Sequence, residues 1–412
     1  MSKDFNVAIV GGGMCGILCA IALLRAEERI QFDLFESASA FTEVGAGVAL
    51  GPNTAPILEE LEVFSLIVAY ANTSRLQMPY SFIDGDGENR RLYGVCLLIY
   101  SHGSLRISGP AYLEALSPLL PKESVHFNKR CVQIESIDGR RYVLHFADGT
   151  SHEADVVIGA DGIKSVTREF ITEHSNKENT VFTNTVAYRG LAPLEDLKKD
   201  GLHTDVTTSV GIWTSKDRHL VTAPIKGGKV LNIVAFHSDH SIPVGAVEVE
   251  GPSVEPAERE ALFDAYTGCG PDVLTMLRHI ENPSKWSLSM VHPPLETFWR
   301  ERVVVIGDAA HGMLPHLGAG AGQALEDGYA LAKLLSHPHI NKSNIEEALR
   351  LYDNLRVARA NRVAARSTQS GDIYDGYGEP GRSLRDQVED QWEFVWNYDV
   401  TTELRQAVLT WN

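Results

Sequence analysis

Val7-Ala8-Ile9-Val10-Gly11-Gly12-Gly13-Met14-Cys15-Gly16 is the stretch on which the fold turns. Residues 7–10 are a short apolar run that predicts a buried strand, and the apolar spacing over 14–26 predicts a helix. Between them Gly11, Gly13 and Gly16 fit G-x-G-x-x-G. A second predicted strand, 32–35, ends at Glu36, twenty positions after Gly16. Strand, glycine turn, helix, strand and terminal acid in this order form the dinucleotide-binding fingerprint in its proper context. Gly11 is expected to make the tight turn, Gly13 to let the backbone approach a pyrophosphate, and Gly16 to let the helix pack on the strand. Glu36 is expected to accept hydrogen bonds from ribose hydroxyls. A glycine-rich turn with no ligand is the competing reading, and the glycines alone do not exclude it.

The 412 residues are enough for a large core in two parts. With 44% hydrophobic and 22% charged residues, the composition is ordinary for a globular protein. A balance of 37 basic against 54 acidic residues, net -17, argues against nucleic-acid partners and a polybasic membrane surface. An anionic ligand must then be met by a few local arginines. The cysteines (Cys15, Cys19, Cys96, Cys131, Cys269) are odd in number and lack C-x-x-C spacing, so they read as reduced thiols in a cytoplasmic protein. No H-E-x-x-H or Cys/His ligand cluster occurs among the 15 histidines, and no metal is expected. The apolar stretch 6–24 is broken by Gly11-Gly12-Gly13, so it reads as strand–turn–helix and not as a membrane span; no signal peptide is read.

Further along, Glu43-Val44-Gly45-Ala46-Gly47-Val48-Ala49 carries residues too small to fill a core strand. Gly47 and Ala49 therefore read as points of close backbone approach to a ligand, with a plain loop as the alternative. Residues 56–66 and 111–120 read as helices, 92–107 as extended, and 125–134, 142–146 and 155–158 as strands. The last runs into Gly159-Ala160-Asp161-Gly162-Ile163-Lys164-Ser165-Val166-Thr167-Arg168, with 163–170 helical. From about 180 to 237 the chain turns β-rich (183–189, 206–213, 220–225, 230–237), which predicts an inserted antiparallel sheet. Residues 256–266 and 271–280 read as helices.

Val303-Val304-Val305-Ile306 predicts one more strand. A turn-rich passage from Gly307 to Gly322 follows, with helical spacing from Ala321 to Leu335. A helix N-terminus after a glycine-rich turn attracts negative charge. The tail reads as a long helix over 345–366, a loop over 371–381 and a final helix over 387–396.

The ordered triple resembles the single-component FAD-dependent aromatic hydroxylases over most of the chain. Its parts are the fingerprint with Glu36, then the Asp161-Gly162 motif, then Gly307-Asp308-Ala309-Ala310-His311 through Gly322. Pro315-His316 before Gly318-Ala319-Gly320-Ala321, Val186-Ala187-Tyr188-Arg189-Gly190 and Asn232-Ile233-Val234-Ala235-Phe236 look most like the salicylate hydroxylase branch.

The resemblance implies an α/β fold with a Rossmann-like FAD-binding domain of the glutathione-reductase type, an inserted antiparallel β-sheet substrate domain and a C-terminal helical segment. The corresponding boundaries are 1–70, 97–178 and 290–370 for FAD, 71–96 and 179–289 for substrate, and 371–412 for the tail. It implies FAD as cofactor and NADH or NADPH as transient co-substrate. The reaction it implies is hydroxylation of an aromatic acid with O₂, most simply salicylate to catechol with loss of CO₂. The protein would be a monomer or homodimer with no nucleic-acid or membrane partner.

By the same resemblance Asp308 binds the ribityl chain, and Gly318, Ala319, Gly320 and Ala321 stabilise charge at the flavin ring. Asp161 and Arg168 contact FAD and assist the nicotinamide donor. His316 contacts the phenol with a near-neutral pKa, Arg189 pairs with the carboxylate, and Pro315 aims its carbonyl at the flavin. Trp213, Phe236 and Met313 are candidates for the ring pocket, and His311 for a loop cap. Gly109-Pro110-Ala111 replaces the arginine that the family carries at a helix start, so Arg106 is assigned its flavin role. Ala223 precedes Pro224 where dearomatising fungal relatives have tyrosine, which favours a simple aromatic acid.

Three other readings remain open. A sister flavin hydroxylase would act on another hydroxybenzoate, a hydroxynicotinate or a phenolic secondary metabolite, which the motifs do not separate. A flavin-dependent halogenase would carry W-x-W-x-I-P, which Trp392-Glu393-Phe394-Val395-Trp396 does not match. A non-catalytic dinucleotide-binding protein would need only the N-terminal fingerprint.

Overall fold

The computed structural model describes residues 5–26, 30–42, 48–71, 78–87, 91–95, 105–249 and 251–411. Its first layer is a six-stranded sheet in the order Trp299–Arg300, Val303–Val305, Val156–Gly159, Phe5–Val10, Ile30–Phe35, Val125–His126. Its inner pairs are parallel: Val7 lies between Val156 and Phe32, and Val157 lies beside Val303. Val7, Ile9, Val157 and Val304 are fully buried, so both faces of the sheet are covered and its strands can be unbroken apolar runs.

The fingerprint helix Met14–Arg25 packs flank to flank with Gly320–Leu335. Small residues set the spacing. A Cβ at Gly328 would lie 3.1 Å from the Cys15 carbonyl oxygen, and Cys15 Sγ donates to the Ala324 carbonyl at 3.0 Å. Two glycine-rich stretches some 309 positions apart are thereby brought side by side.

The second layer is an eight-stranded sheet in the order Val254–Pro256, Ser284–Val291, Thr180–Pro193, Val230–Ser238, Arg218–Ile225, Val210–Ser215, Tyr80–Asp84, Arg91–Val95. The pairing is antiparallel, as expected, except that Tyr80–Asp84 runs parallel to Val210–Ser215. Alternation along the strands gives the sheet two different faces. Tyr188, Trp213, Leu220, Ile233 and Ala235 pack with Leu262, Met276 and Leu277 from the helices Arg259–Ala265 and Pro271–Arg278. The opposite face carries Phe82 and Ile212, which pack with Leu317, Ala319, Tyr374 and Trp392.

Several elements depart from the sequence reading. The strand expected over 125–134 is two: Val125–His126 joins the parallel sheet, and Cys131–Ser136 opens a separate three-stranded sheet beyond a left-handed turn at Asn128. The helix expected over 56–66 is also two, Ala55–Glu60 and Phe64–Ala71, divided where Glu62 takes a positive φ of 55°. Ser284–Val291 is a strand that its serines concealed, because neither face of it is fully buried. The long tail helix is Ile345–Tyr374, so it runs through Gly371, where a loop was expected. Packing overrides the poor helix propensity of glycine there. A last helix, Val400–Ala407, was unread.

Asp327 joins three pieces of chain beneath the helix Gly320–Leu335. Its Oδ2 accepts from the Gly307 N–H at 2.9 Å and meets His311 Nε2 at 2.5 Å, and its Oδ1 accepts from Arg356 Nε at 2.7 Å. Arg356 also donates to Glu326 Oε2 at 2.5 Å and to Gln323 Oε1 at 2.9 Å. Burial pushes the Asp327 carboxyl up, but His311 and Arg356 outweigh it and hold the group below its ordinary value. Burial likewise works against the Arg356 charge, and Glu326 and Asp327 hold the guanidinium protonated. Arg356→Met would leave Asp327 with only His311 and the Gly307 N–H. We expect a loss of about 3–5 kcal/mol in denaturant unfolding, the cost of breaking a buried pair from one side, with Arg356→Lys recovering only part of it.

Candidate active site

At the N-terminal end the fingerprint glycines divide into two kinds. Gly11 has φ +105°, and a Cβ there would lie 2.3 Å from the Ala160 carbonyl oxygen; at Gly16 it would lie 2.0 Å from the Gly11 oxygen. Both are fixed by backbone crowding. Gly13, the N-cap of Met14–Arg25, has nothing within 4 Å of a Cβ and borders open space. The Glu36 carboxylate lies over this loop, with Oε2 accepting from the Gly12 N–H at 2.8 Å and Oε1 from the Ala38 N–H at 2.7 Å.

At the other end Asp308 is exposed, and its carboxylate has no hydrogen-bond partner among the described residues. Surrounding protein still crowds it enough to raise its pKa, against the opposing pull of His311 and Arg168. The helix Gly320–Leu335 starts at Ala319 with no side-chain cap and no acid in its first turn. Its leading N–H groups, Gly320 and Ala321 among them, therefore lack an intrahelical acceptor. Gly318 and Gly320 have nothing nearer than 4.0 Å to a Cβ, and the neighbour of Gly318 is Ala49. Ala49 pairs with Arg106 in a small ladder of Val48–Leu50 against Leu105–Ile107. Gly47 and the Arg106 side chain lie outside the described residues.

These features fit a flavin dinucleotide stretched between the two ends. The chain offers open space at the Gly13 helix start, an unpartnered Asp308 carboxylate, and an uncapped sixteen-residue helix bordered by Gly318.

His316 is buried at the boundary of the two layers. A Cβ at Gly371 would strike its ring at 2.5 Å, so glycine in the long helix is what admits it. The ring meets Phe236 at 5.1 Å and His219 at 5.0 Å, both nearly edge-on. Its Nδ1 is buried without a partner, and its Nε2 edge lies beside Gly371 of the long helix.

Arg189 lies on the same sheet face as Phe236. Ala187 pairs with Phe236 and Arg189 with Val234, and alternate residues share a face. Burial lowers the Arg189 pKa, its guanidinium sits 5.1 Å over the Trp286 ring, and no carboxylate pairs with it among the described residues. Val221 continues the row past Val234, and beyond it Ile212 and Phe82 are buried against Leu317 and Tyr374.

Four expectations are corrected by this geometry. His316 is not near neutral: burial, aided by His219, lowers it to about 3, so the imidazole is uncharged. The Pro315 carbonyl accepts from the Gly318 N–H at 2.9 Å and closes a turn, while the proline itself is exposed. The Asp161 carboxylate caps the helix Val166–Thr172: it takes Ser165 Oγ at 2.5 Å and the Thr167 N–H at 3.0 Å, which leaves the backbone to face a cofactor. Trp213 is on the far sheet face, donating to Thr222 Oγ1 at 3.0 Å, and does not line the His316 side.

Arg168 is also structural: its fully buried guanidinium donates to the Ala309 carbonyl at 2.9 Å and to Asn176 and Thr180. His311 holds Asp327 and does not reach the cleft. Sequence reasoning missed His219, Asp375 and His240, which meet one another behind His316. Single histidines just outside the predicted strands 220–225 and 230–237 give no local signal of this.

Comparison with known proteins agrees with the geometry. Residues 123–367 match the family model described as an FAD binding domain. The chain is 34% identical to a salicylate hydroxylase of Pseudomonas putida, over 98% of this chain and 94% of that one. It is 30% identical to a 6-methylsalicylate 1-monooxygenase of Aspergillus terreus, over 99% of this chain and 92% of that one. A solved salicylate hydroxylase substrate complex superposes with TM-score 0.87 at 31% identity, covering 98% of each chain. The chain belongs to the FAD-dependent monooxygenases. Within them it is an aromatic hydroxylase of the salicylate hydroxylase-like kind. Among the described residues no helix is long and apolar enough to cross a membrane, and no group of three or more His, Cys, Asp or Glu could hold a metal ion.

Asp308→Asn keeps the shape and removes the charge. We expect FAD affinity to fall about tenfold or more, as for loss of a charged hydrogen bond worth about 1.5–3 kcal/mol. Fluorescence titration of apoprotein with FAD measures it.

Proposed function

We propose that the substrate is salicylate, converted to catechol with loss of CO₂, with NADH or NADPH and O₂ consumed. The observation that carries this reading is Arg189: a desolvated guanidinium with no carboxylate of its own among the described residues, on the sheet face that continues to Phe236 and His316. A free, partly buried guanidinium is matched to a planar carboxylate, which it can grip bidentately.

In this reading residues 71–96 and 179–289 form the substrate unit, 1–70, 97–178 and 290–370 hold FAD, and 371–412 closes the tail. Glu36, Gly11, Gly13 and Gly16 hold the adenosine half and Asp308 the ribityl chain. Gly47, Ala49, Arg106, Asp161 and the 318–321 backbone flank the flavin. FAD, when bound, supplies electron transfer from the nicotinamide and activation of O₂. Everything else falls to the side chains. Arg189 fixes the carboxylate, so the carbon that bears it is the ring position held in place. Val234 and Val221 offer the aromatic ring an apolar wall that excludes water. His316 receives the phenol on its Nε2 side. An uncharged imidazole can accept the phenol hydrogen bond without the desolvation cost of a buried cation.

The test is a purified holoenzyme with a visible flavin spectrum, assayed for NADH and NADPH oxidation and for catechol. Salicylate should stimulate oxidation and yield catechol; stimulation that gives only peroxide would make salicylate an effector and sink the substrate assignment. Turnover of a different hydroxybenzoate or a hydroxynicotinate in preference to salicylate would move the assignment to that acid. His316→Ala should retain FAD and lower product formation by about 10²-fold or more, in the range of a positioned acid–base group.

A further inference from the structure

Behind His316 lies a charged group that these steps leave unused. Asp375 caps the C-terminus of the 30-residue helix Ile345–Tyr374 and is 2% exposed. A carboxylate there faces both burial and the negative end of the helix dipole. It is nonetheless held charged. Its Oδ1 meets His219 Nδ1 at 2.6 Å and its Oδ2 meets His240 Nε2 at 3.2 Å. Burial works upward on its pKa, but His219, His240 and Ser238 hold it well below the ordinary carboxylate range. His240 is the partly exposed end of the group, beside Asp372 and stacked against Tyr377.

His219 itself is fully buried, stacked on Phe236 at 4.5 Å and edge-on to His316 at 5.0 Å. Two buried ring nitrogens without partners lie on these adjoining rings: His219 Nε2 and His316 Nδ1. The chemistry of neutral imidazoles orders them. A histidine that donates Nδ1–H to a carboxylate keeps Nε2 bare as an acceptor. The two nitrogens make no hydrogen bond to each other, so Asp375 and His219 act on His316 through ring contact and charge.

We propose that Asp375 is a positioning residue for the hydroxylation: it fixes the His219 ring against which His316 packs and offsets the positive charge that arises when His316 takes the phenol proton. In that step the phenol O–H bond breaks and an N–H bond forms at His316 Nε2. The substrate is left as the phenolate, and the imidazolium formed at His316 is offset by the Asp375 carboxylate on the far side of His219. No electrons change hands. The proposal rests on the reading of His316 as the residue that faces the phenol.

The test is Asp375→Asn in the FAD-loaded enzyme, with salicylate as the probe. The amide oxygen can still accept from His219 while the charge is gone. FAD occupancy and KM for salicylate should stay within threefold of wild type, and kcat for catechol should fall at least tenfold. A kcat within threefold of wild type overturns the proposal. So does a parallel loss of FAD, KM and kcat, which would mark Asp375 as a packing residue only. If Asp375→Asn does not fold, ¹⁵N spectra of the histidines in wild-type holoenzyme decide the matter, with His219 assigned by its loss in His219→Gln. A proton on His219 Nδ1 is expected, and one on Nε2 alone overturns the proposal. A wild type inert with salicylate but active with another hydroxybenzoate fails the substrate reading instead, and the Asn-to-wild-type ratio measured with that acid still decides the role of Asp375.

Discussion

The position of the active-site loop depends on one buried carboxylate. Asp327 holds the Gly307 backbone and His311 with one oxygen and Arg356 with the other. It thus ties the turn after the strand Val303–Val305, the helix Gly320–Leu335 and the long helix Ile345–Tyr374 into one rigid corner. The passage between Gly307 and Gly320 is strung between two ends of that corner. A loop rich in glycine has little rigidity of its own, so its shape is set by what anchors it. Leu317 N–H donating to Ser367 Oγ, which in turn donates to the Leu314 carbonyl, fixes the middle of the loop to the same long helix.

That corner also explains how a cofactor site can be built from opposite ends of the chain. The helices Met14–Arg25 and Gly320–Leu335 touch through Cys15, Cys19 and Gly328, and small contact residues allow this close approach. In the proposed reading the favourable electrostatics of both helix starts act on one ligand. The long helix contributes to the other half of the site. Gly371 makes room for His316, and the helix end presents Asp375 to His219.

Much of the fold was legible because it is written in short periods. The 7–10 run, the glycine spacing and Glu36 each depend on residues within one βαβ unit. The β-rich runs between 180 and 237, with turns between them, announced an inserted antiparallel sheet. The misread elements failed for physical reasons. Ser284–Val291 lies half-exposed on both faces and so lacks a hydrophobic alternation. Gly371 is helical because His316 packs on it, and no local preference records that contact. Asp161 carries a motif that looks like a ligand contact, yet its carboxylate is consumed by the helix start four to six residues on.

The sequence by itself determined the nucleotide-binding class, the order of the motifs and the family, since these follow from spacing along the chain. It also named His316 and Arg189. Only the tertiary structure decided what surrounds them. It put Arg189 on the face with Phe236 and sent Trp213 to the other. It also made His316 an uncharged imidazole against His219 and joined His219 to Asp375 across 156 positions. A strand's period tells which residues share a face but not which face meets the cleft. A histidine's charge is set by burial and by neighbours distant in sequence, and both come into being only when the two layers close on each other.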